Sequence, residues 1–421
     1  MMDVLQLETL DAKTRERLLN RPSPFDEAVK ARVQEILKTV REQSDEALQA
    51  YTERFDCVRL KVLRVPKVEI TQSLQEISAE LGAALETAKA QIEAFHRPQL
   101  SKSYEIEPLR SLRLGQLIRP FRRVGIYVPR NLFSSLLMAG VPAHLAGVKE
   151  LAVCTPPGVD GKIPVAVRAA ATLLGIDEVY AVGGAQAIAA FAYGTQSIPR
   201  VEKIVGPGNA YVTAAKALVR DQVAIDLLAG PSEVLLLVEK LSGFSPETLM
   251  HWALAELKAQ LEHGPGTSAL LLTNLPELAQ GVVQKLDAAL TKDRHLAVLC
   301  YSDRESALEF ANEYAPEHLG LWTEDAEELL EKIQNAGSVF LGPWSPVAFG
   351  DYASGTNHIL PTARGARVSS GLGVSDFLKK ISYQHVSPEG YKSLAPTVAV
   401  LAKVEGMAAH AESVRVRLER L

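Results

Sequence analysis

This chain of 421 residues carries the stretch VGIYVP at positions 124–129, and that stretch decides its fold class. A continuous apolar run of this length is typical of a strand buried on both faces of a parallel sheet. A helical stretch follows, and the next strand and helix are expected at Glu150–Cys154 and Ile163–Leu174. The same order returns with a strand at Glu178–Val182 and a helix at Ala185–Tyr193. Alternation at this spacing predicts a doubly wound parallel sheet.

A second α/β unit is expected after the strand Glu233–Val238. The predicted elements are a helix at 246–262, a strand at Ser268–Leu272, a helix at Leu275–Leu290 and a strand at His295–Cys300. Outside these units, residues 26–55 and 70–95 have the three-and-four spacing of amphipathic helices, and the chain turns helical again from Val374.

The predicted fold is therefore α/β, with two doubly wound parallel-sheet domains of an incomplete Rossmann-like kind. An N-terminal helical region precedes these domains, and a C-terminal helical tail follows them. The predicted boundaries are 1–110 for the N-terminal region, 111–235 and 236–375 for the two domains, and 376–421 for the tail.

Composition excludes several classes of function. The formal net charge of −5 is not gathered into a basic stripe, so a nucleic-acid partner is not expected. No segment approaches the ~20 apolar residues that a membrane span needs, and no secretory signal is visible, so a soluble cytoplasmic protein is expected. The three cysteines, Cys57, Cys154 and Cys300, are interpreted as buried small apolar residues in a reducing compartment rather than as nucleophiles or metal ligands.

Polar signatures within otherwise apolar segments supply the candidate chemistry. Gln260 and His263 lie three residues apart on a predicted helix, so one face presents both side chains to a possible metal ion. A solvated helix end explains that pair more often. Asp351 follows Gly350 in a segment of small residues, which suits close approach of a ligand, although an Asx-type turn is the more common explanation.

Glu317 and His318 immediately precede the apolar run 319–322. Neighbours on a regular strand point to opposite faces, so the two groups could flank one substrate. One would remove a proton and the other would activate water. A surface turn explains this pair equally well. Glu405 and His410 are about 140° apart on an ideal helix and cannot face one ligand unless the helix is interrupted, which Gly406 permits.

Two glycine-containing turns, GGAQ at 183–186 and GPGN at 206–209, lie between a predicted strand and a predicted helix. Backbone N–H groups at a helix start can bind a pyrophosphate. Neither turn matches the G-x-G-x-x-G pattern, and no acidic residue stands at the distance expected for a ribose contact. The signal for a dinucleotide is weak by itself.

Taken together, these segments resemble the histidinol dehydrogenase family, and the similarity runs over nearly the whole chain. The segments that carry the resemblance are VGGAQA at 182–187, VGPGN at 205–209, ID at 225–226, AGPSE at 229–233 and GDYASGTNH at 350–358. The resemblance implies a zinc enzyme that oxidises L-histidinol through L-histidinaldehyde to L-histidine with two NAD⁺, at the end of histidine biosynthesis.

The resemblance also implies roles for particular residues. It implies that one zinc ion per subunit is bound by Gln260, His263, Asp351 and His410. The acid/base pair is Glu317 and His318. The substrate contacts are Ser232, His318, His358 and Glu405 together with the four zinc ligands, and the NAD contacts are Tyr127, Gln186 and Asn209. In this family the C-terminal segment reaches into the partner subunit's site, which implies an obligate homodimer. It also implies that Glu405 and His410 can serve one site despite their separation around an ideal helix.

One departure from the family pattern bears on the cofactor. After Pro129 the family usually has a glycine pair and more small residues, whereas here Arg130-Asn131-Leu132 follows directly and the loop is about three residues shorter. Two alternatives stay open. One is a related zinc- and NAD-dependent alcohol dehydrogenase that acts on another small alcohol such as sulfopropanediol. The other is a catalytically silent relative, against which the retained ligands and the acid/base pair argue.

Overall fold

A computed structural model describes residues 3–21, 25–286 and 294–420 of the chain. The chain divides into two compact units, one formed by Met1–Gln99 with Arg122–Phe377 and the other by Leu100–Phe121 with Leu378–Leu421. This grouping joins segments that are distant in sequence. The domain boundaries at residues 110, 235 and 375 stay predictions.

The helices of the described residues are α1 (Ala12–Leu19), α2 (Glu27–Gln43), α3 (Asp45–Asp56), α4 (Lys67–Glu76), α5 (Ala79–His96), α6 (Phe133–Ala146), α7 (Val165–Leu173), α8 (Gly184–Tyr193), α9 (Ala210–Val219), α10 (Pro246–Leu261), α11 (Pro276–Lys285), α12 (Arg304–Tyr314), α13 (Ala326–Leu330), α14 (Val347–Tyr352), α15 (Pro388–Val404) and α16 (Ala408–Leu418). Short 3₁₀ turns occur at Leu7–Thr9, Arg97–Gln99, Gly365–Arg367 and Val374–Phe377.

The strands of the described residues are β1 (Leu5–Gln6), β2 (Tyr104–Leu109), β3 (Leu112–Pro120), β4 (Arg123–Tyr127), β5 (Glu150–Thr155), β6 (Val179–Ala181), β7 (Lys203–Val205), β8 (Ala224–Ile225), β9 (Glu233–Val238), β10 (Ser268–Thr273), β11 (His295–Cys300), β12 (His318–Trp322), β13 (Ser338–Leu341) and β14 (Leu378–Val386).

The first parallel sheet has the order β6-β5-β4-β7-β8 within the described residues. β4, which contains the first four residues of the VGIYVP stretch, is central and pairs in parallel with β5 and β7. Those four residues are buried, as the continuous apolar run predicted, and so is Arg123 at the start of the strand. Helices α2, α8 and α9 pack together over one face and share a buried cluster with Ala152 and Cys154 of β5. The predicted doubly wound α/β unit is confirmed.

The second parallel sheet has the order β1-β11-β10-β9-β12-β13 within the described residues. Leucines fill both faces of its central strands, with Leu235 and Leu237 in one buried cluster and Leu236 in the other. The strands predicted at Glu233–Val238 and His295–Cys300 have those bounds in the structure. The predicted helix Leu275–Leu290 is present as α11, and its residues 287–290 lie outside the described residues.

The N-terminal region is helical but contains two strands that periodicity did not indicate. β1 is a short edge strand that pairs with β11, almost 300 residues later in the chain. β2 belongs to an antiparallel sheet in the second unit, with the order β14-β3-β2. The prediction of helix from Val374 onward is wrong for β14. Many of its residues are charged or polar, so the sequence does not show the apolar pattern of a buried strand. Its partner, β3, lies more than 250 residues earlier.

Two predicted helices are each divided in the structure. Residues 26–55 form α2 and α3, separated at Ser44, whose φ of 55° lies in the left-handed region. The stretch 70–95 forms parts of α4 and α5, and the Ser78 side chain accepts the Leu81 N–H to cap α5. In both cases the apolar spacing continues through the break, so periodicity alone did not reveal it.

The described cysteines contain no disulfide. Cys154 and Cys300 are buried, as predicted, but the prediction is wrong for Cys57, which is exposed at the end of α3. None of the described helices is both long enough and apolar enough to cross a membrane.

Candidate active site

Tyr127 and Gln186 lie at the carboxyl edge of the first parallel sheet, where doubly wound folds bind ligands. The buried Tyr127 hydroxyl accepts a hydrogen bond from the Gly184 N–H at 3.1 Å, at the start of α8. Burial raises the pKa of Tyr127 to about 12, which keeps the phenol neutral. Gln186 is buried, and its Oε1 atom has no hydrogen-bond partner among the described residues.

Asn209 lies at the same edge, and its side chain caps the helix α9. Its side-chain oxygen accepts the backbone N–H groups of Tyr211 and Val212, at 3.0 and 3.2 Å, and so caps α9. The preceding Gly206 has a φ of 113°, and a Cβ there would collide with the Tyr127 carbonyl oxygen. Glycine is therefore required at this turn.

A buried ion pair between Lys216 and Asp226 binds the backbone of this glycine turn. Asp226 Oδ2 accepts the Gly206 N–H at 2.7 Å, and Lys216 Nζ donates to the Gly206 carbonyl oxygen at 3.0 Å. Lys216 and Asp226 also pair with each other, and both side chains are almost completely buried. Both polar groups of the Gly206 backbone are fixed, so the turn leading to Asn209 is held in one conformation.

Glu317 and His318 lie together at the amino end of β12. Glu317 precedes the strand, and its Oε2 atom is 3.6 Å from His318 Nδ1. The expectation that the two side chains point to opposite faces does not hold, because the strand begins only at His318. Glu317 Oε2 accepts hydrogen bonds from the Ser232 hydroxyl at 2.5 Å and from the Glu233 N–H at 2.8 Å. The surface-turn alternative is wrong, since both residues are buried.

The surroundings of this pair shift the pKa of Glu317 and select the tautomer of His318. Burial raises the pKa of Glu317 to about 7, although His318, Ser232 and the Glu233 N–H each favour the charged form. His318 Nδ1 lies 2.9 Å from the Glu233 carbonyl oxygen. A carbonyl only accepts, so Nδ1 carries the proton and neutral His318 has its lone pair on Nε2. That Nε2 atom is buried without a hydrogen-bond partner among the described residues, 3.8 Å from Asp351 Oδ1.

Asp351 lies in the short helix α14, not in the loop that its small neighbours suggested. Gly350 lets this helix approach the second sheet, since a Cβ there would lie 2.7 Å from the Phe340 ring. Glu256, which the sequence argument did not single out, fixes the start of α14 by accepting the Val347 N–H at 3.0 Å. Burial raises the pKa of Glu256. The charge of Asp351 raises it further, and that of His318 lowers it.

The end of α10 carries two further predicted ligands, Gln260 and His263. The helix ends at Leu261, so His263 lies just beyond it. His263 Nδ1 is 3.2 Å from the Gln260 carbonyl oxygen and therefore carries the proton, which leaves Nε2 as the lone-pair nitrogen. The Gln260 side chain is buried, and its Nε2 atom has no partner among the described residues.

His358 is held between two elements. Its Nδ1 atom donates to the Asp351 carbonyl oxygen at 2.8 Å, and its Nε2 atom lies 3.1 Å from Ser135 Oγ. Burial lowers the pKa of His358 and the Asp351 carboxylate opposes this, while His318 and His263 lie close enough to add to the lowering. Six of the predicted site residues are thus gathered in one place: Ser232, His263, Glu317, His318, Asp351 and His358. Ser135 was missed because a serine in an apolar helix carries no distinguishing signal.

Glu405 and His410 belong to the second unit. Glu405 follows the last residue of α15, Gly406 has a φ of 72°, and His410 lies in α16. The interruption that Gly406 permits is therefore present. Both side chains are exposed in this unit.

Three candidate donors of the first unit are of the chemical types that bind zinc. An imidazole nitrogen from His263, a carboxylate from Asp351 and an amide oxygen from Gln260 are suitable ligands for this borderline metal. The unpartnered atom of the buried Gln260 amide is its nitrogen, Nε2, so the amide would have to turn over to present its oxygen at that position. No group of three His, Cys, Asp or Glu side chains within the described ranges is placed to hold a metal. The proposed set accordingly depends on Gln260 and His410 as well.

Comparison with known proteins decides the family. The family model described as histidinol dehydrogenase matches residues 19–418. The chain belongs to the histidinol dehydrogenase family. Its members are NAD-dependent oxidoreductases of histidine biosynthesis.

The matches to individual relatives cover nearly the whole length of this chain and of each relative. Histidinol dehydrogenase from Methanocaldococcus jannaschii is 41% identical over 431 residues, covering 99% of each chain. The enzyme of the same name from Methanothermobacter thermautotrophicus is 44% identical over 400 residues, covering 92% of each chain. The crystal structure of histidinol dehydrogenase from Elizabethkingia anophelis has a TM-score of 0.90 and 37% identity, and the match covers 100% of this chain and 98% of that one. The expected family and fold class are confirmed.

Proposed function

We propose that this chain is a zinc-dependent L-histidinol dehydrogenase that forms L-histidine in two successive oxidations, each with one NAD⁺. The observation that carries the proposal is the placement of Glu317 and His318. Both are buried, both are held by the backbone of Glu233, and the lone pair of His318 faces toward Asp351. A base beside a candidate metal ligand suits the oxidation of an alcohol whose carbon a metal ion would hold in place through other groups of the substrate.

Gln260, His263 and Asp351 would hold the zinc together with His410 of a tail. The zinc, when bound, would supply a positive charge that orients the amine and imidazole of the substrate. His358 supports this site from the Asp351 side, because its Nδ1–H holds the backbone of the proposed ligand. Its Nε2 atom lies 3.1 Å from the hydroxyl of Ser135, in α6, the helix that follows β4 of the first sheet. We assign Ser232, His358 and Glu405 as further substrate contacts.

His318 would accept the proton of the substrate hydroxyl at Nε2. Its Nδ1–H is committed to the Glu233 carbonyl, so the ring stays in the tautomer whose free nitrogen is a base. The carbon that bears this hydroxyl would lose its hydride to NAD⁺, which gives L-histidinaldehyde. The burial of His318 keeps bulk water from competing for that nitrogen.

Glu317 would then accept a proton from the water that adds to the aldehyde. With its pKa near 7, Glu317 is a stronger base than an exposed carboxylate yet is largely ionised at slightly alkaline pH. The hydrate anion formed in this way would lose a second hydride to a second NAD⁺ and its remaining hydroxyl proton to solvent, which leaves the carboxylate of L-histidine. The Ser232 hydroxyl and the Glu233 N–H both bind Oε2 of Glu317 and so fix the orientation of its carboxylate.

The NAD would lie at the carboxyl edge of the first sheet, with contacts to Tyr127, Gln186 and Asn209. The unpartnered Gln186 oxygen at the start of α8 supports this placement. The short loop after Pro129 is anchored by Arg130, which donates to Asp56 Oδ1 at 2.7 Å. The shortened loop therefore has a fixed partner at its first residue.

The test is the number of NADH molecules released per molecule of L-histidinol, before and after removal of zinc by a chelator. We expect two equivalents, loss of turnover with the chelator, and recovery when zinc is added back. One equivalent would mean that the second oxidation does not occur. No NADH from L-histidinol, with zinc and NAD⁺ present, would favour the related dehydrogenase of another small alcohol.

Glu256→Ala should weaken zinc binding although Glu256 is not a proposed ligand. Its carboxylate ties the first N–H of α14, the helix of Asp351, to α10, the helix of Gln260. Loss of a group that orients a ligand typically lowers metal affinity about 10–100-fold. Competition with a zinc-binding dye measures the affinity. Glu247→Ala, an exposed position in the first turn of the same helix, is the matched control and should leave the affinity unchanged.

A further inference from the structure

One residue, Glu233, anchors both members of the acid/base pair through its backbone. Its N–H donates to Glu317 Oε2 at 2.8 Å, and its carbonyl oxygen accepts from His318 Nδ1 at 2.9 Å. Glu233 is the first residue of β9, directly beside the start of β12. A small displacement of this residue would move the carboxylate and the imidazole together.

The Glu233 side chain is itself fixed by a segment from the N-terminus. The Arg21 guanidinium donates to both carboxylate oxygens of Glu233, from Nε at 2.8 Å and from Nη2 at 3.1 Å. The Ala363 N–H is a third donor, at 2.9 Å from Oε1. The side chain of Arg21 is 4% exposed and that of Glu233 is 2% exposed, so solvent does not loosen the pair.

Arg21 is held as firmly as its partner. It donates to the carbonyl oxygens of Leu19 at 2.9 Å and Tyr314 at 2.7 Å. Its guanidinium also lies over the Tyr314 ring, 3.8 Å from the ring centre. Every one of these contacts restricts the direction from which Arg21 approaches Glu233. A two-pronged arginine–carboxylate contact of this kind fixes orientation as well as distance.

A buried ion pair is weak evidence for stability, because desolvation of two charges offsets much of their attraction. Its geometric effect is more distinctive. We propose that Arg21 and Glu233 are positioning residues, which set the alignment and the tautomer of the Glu317–His318 pair through the backbone of residue 233. The inference rests on the proposed function of that pair, and it assigns a role in catalysis to an N-terminal residue that touches neither substrate nor cofactor.

The chain offers a matched control at the other end of the same strand. Glu239, which follows β9, also receives two donors from one arginine, Arg304 Nε at 2.9 Å and Arg304 Nη2. Tyr301 donates to it at 2.6 Å, and the residue is buried. The Glu239 N–H bonds to the Trp322 carbonyl, at the end of β12 away from His318. Glu239→Gln thus removes a similar charge without touching the acid/base pair.

The experiment compares Glu233→Gln, Arg21→Lys and Glu239→Gln in the zinc-loaded full chain. We measure kcat and KM for L-histidinol, with kcat expressed per zinc-containing site, and the unfolding temperature. Both Glu233→Gln and Arg21→Lys should lower kcat by about 10–10²-fold with KM little changed, the size expected for misplacement by a fraction of an ångström up to one ångström. Glu239→Gln should keep the wild-type kcat. Arg21→Lys keeps the buried charge, and so remains informative if Glu233→Gln does not fold.

A second measurement does not depend on turnover. In protein labelled with ¹⁵N at histidine, the proton on His318 Nδ1 should exchange with solvent at least about tenfold faster in Glu233→Gln and Arg21→Lys than in the wild type or in Glu239→Gln. Equal exchange rates in all four proteins would overturn the proposal. So would equal losses of kcat in the Glu233 and Glu239 variants. If the wild type released no NADH from L-histidinol, the proposed function would fail, and the exchange measurement would still decide the positioning role.

Discussion

Glu317→Gln should oxidise L-histidinol to L-histidinaldehyde near the wild-type rate and oxidise L-histidinaldehyde about 10²–10⁴-fold more slowly. The amide oxygen of Gln can still accept from the Ser232 hydroxyl and the Glu233 N–H, so the geometry of the pair is retained. The amide cannot take a proton from water, however, and only the second oxidation needs that step.

Supplying each compound separately to the variant, with NAD⁺ in excess, measures the two oxidations independently. The expected result is one NADH per L-histidinol, with L-histidinaldehyde accumulating. Glu239→Gln, a change at a buried glutamate away from the pair, should still give two. If Glu317→Gln oxidised both compounds at wild-type rates, the division of labour between Glu317 and His318 would be wrong.

The pH dependence of the second oxidation provides a check on the same residue. Burial raises the pKa of Glu317 to about 7, and the carboxylate acts as a base only when it is ionised. The rate of L-histidinaldehyde oxidation by the wild type should therefore fall as the pH falls through about 7. In Glu317→Gln that step in the profile should be absent, since the titrating group has been removed.

The parallel sheets could be predicted from sequence because each depends on a local signal. A strand buried on both faces is apolar along most of its length, so VGIYVP at 124–129 and VLLLV at 234–238 can be recognised in the sequence. The antiparallel sheet had no such signal. β14 is largely exposed, and its pairing with β3 depends on contacts between segments distant in the chain. The breaks at Ser44 and Ser78 also interrupt helices whose apolar spacing continues without change.

The candidate site could be predicted in part, for a related reason. Histidine and carboxylate side chains are uncommon inside apolar segments, so His318, Asp351 and His358 stand out in the sequence. The groups that orient them do not. The contacts of Glu233 with the acid/base pair are made by its backbone, and Ser135 is an unremarkable helix residue. Arg21 lies far away in sequence and meets Glu233 only in the folded chain.

The homodimer that the family resemblance implies leads to the second large effect, which concerns His410. Asp351→Ala and His410→Ala should each reduce turnover by roughly 10³-fold or more, because each removes a proposed ligand of a metal ion expected to contribute several kcal/mol. If the tail of one subunit completes the partner subunit's site, the two inactive proteins should complement each other. In a mixed dimer, one site combines an intact Asp351 with an intact His410 of the other chain, and the second site lacks both ligands.

After the two variants are mixed in equal amounts and allowed to exchange subunits, half of the dimers should be mixed, each with one working site. Activity should then return to about a quarter of the wild-type value. Mixing either variant with itself is the control and should restore nothing. A tail that acts within its own chain gives a different result, since every site would then lack Asp351 or His410 and the mixture would stay inactive. The recovered activity therefore reports directly which chain supplies His410, and bound zinc should recover in the same proportion.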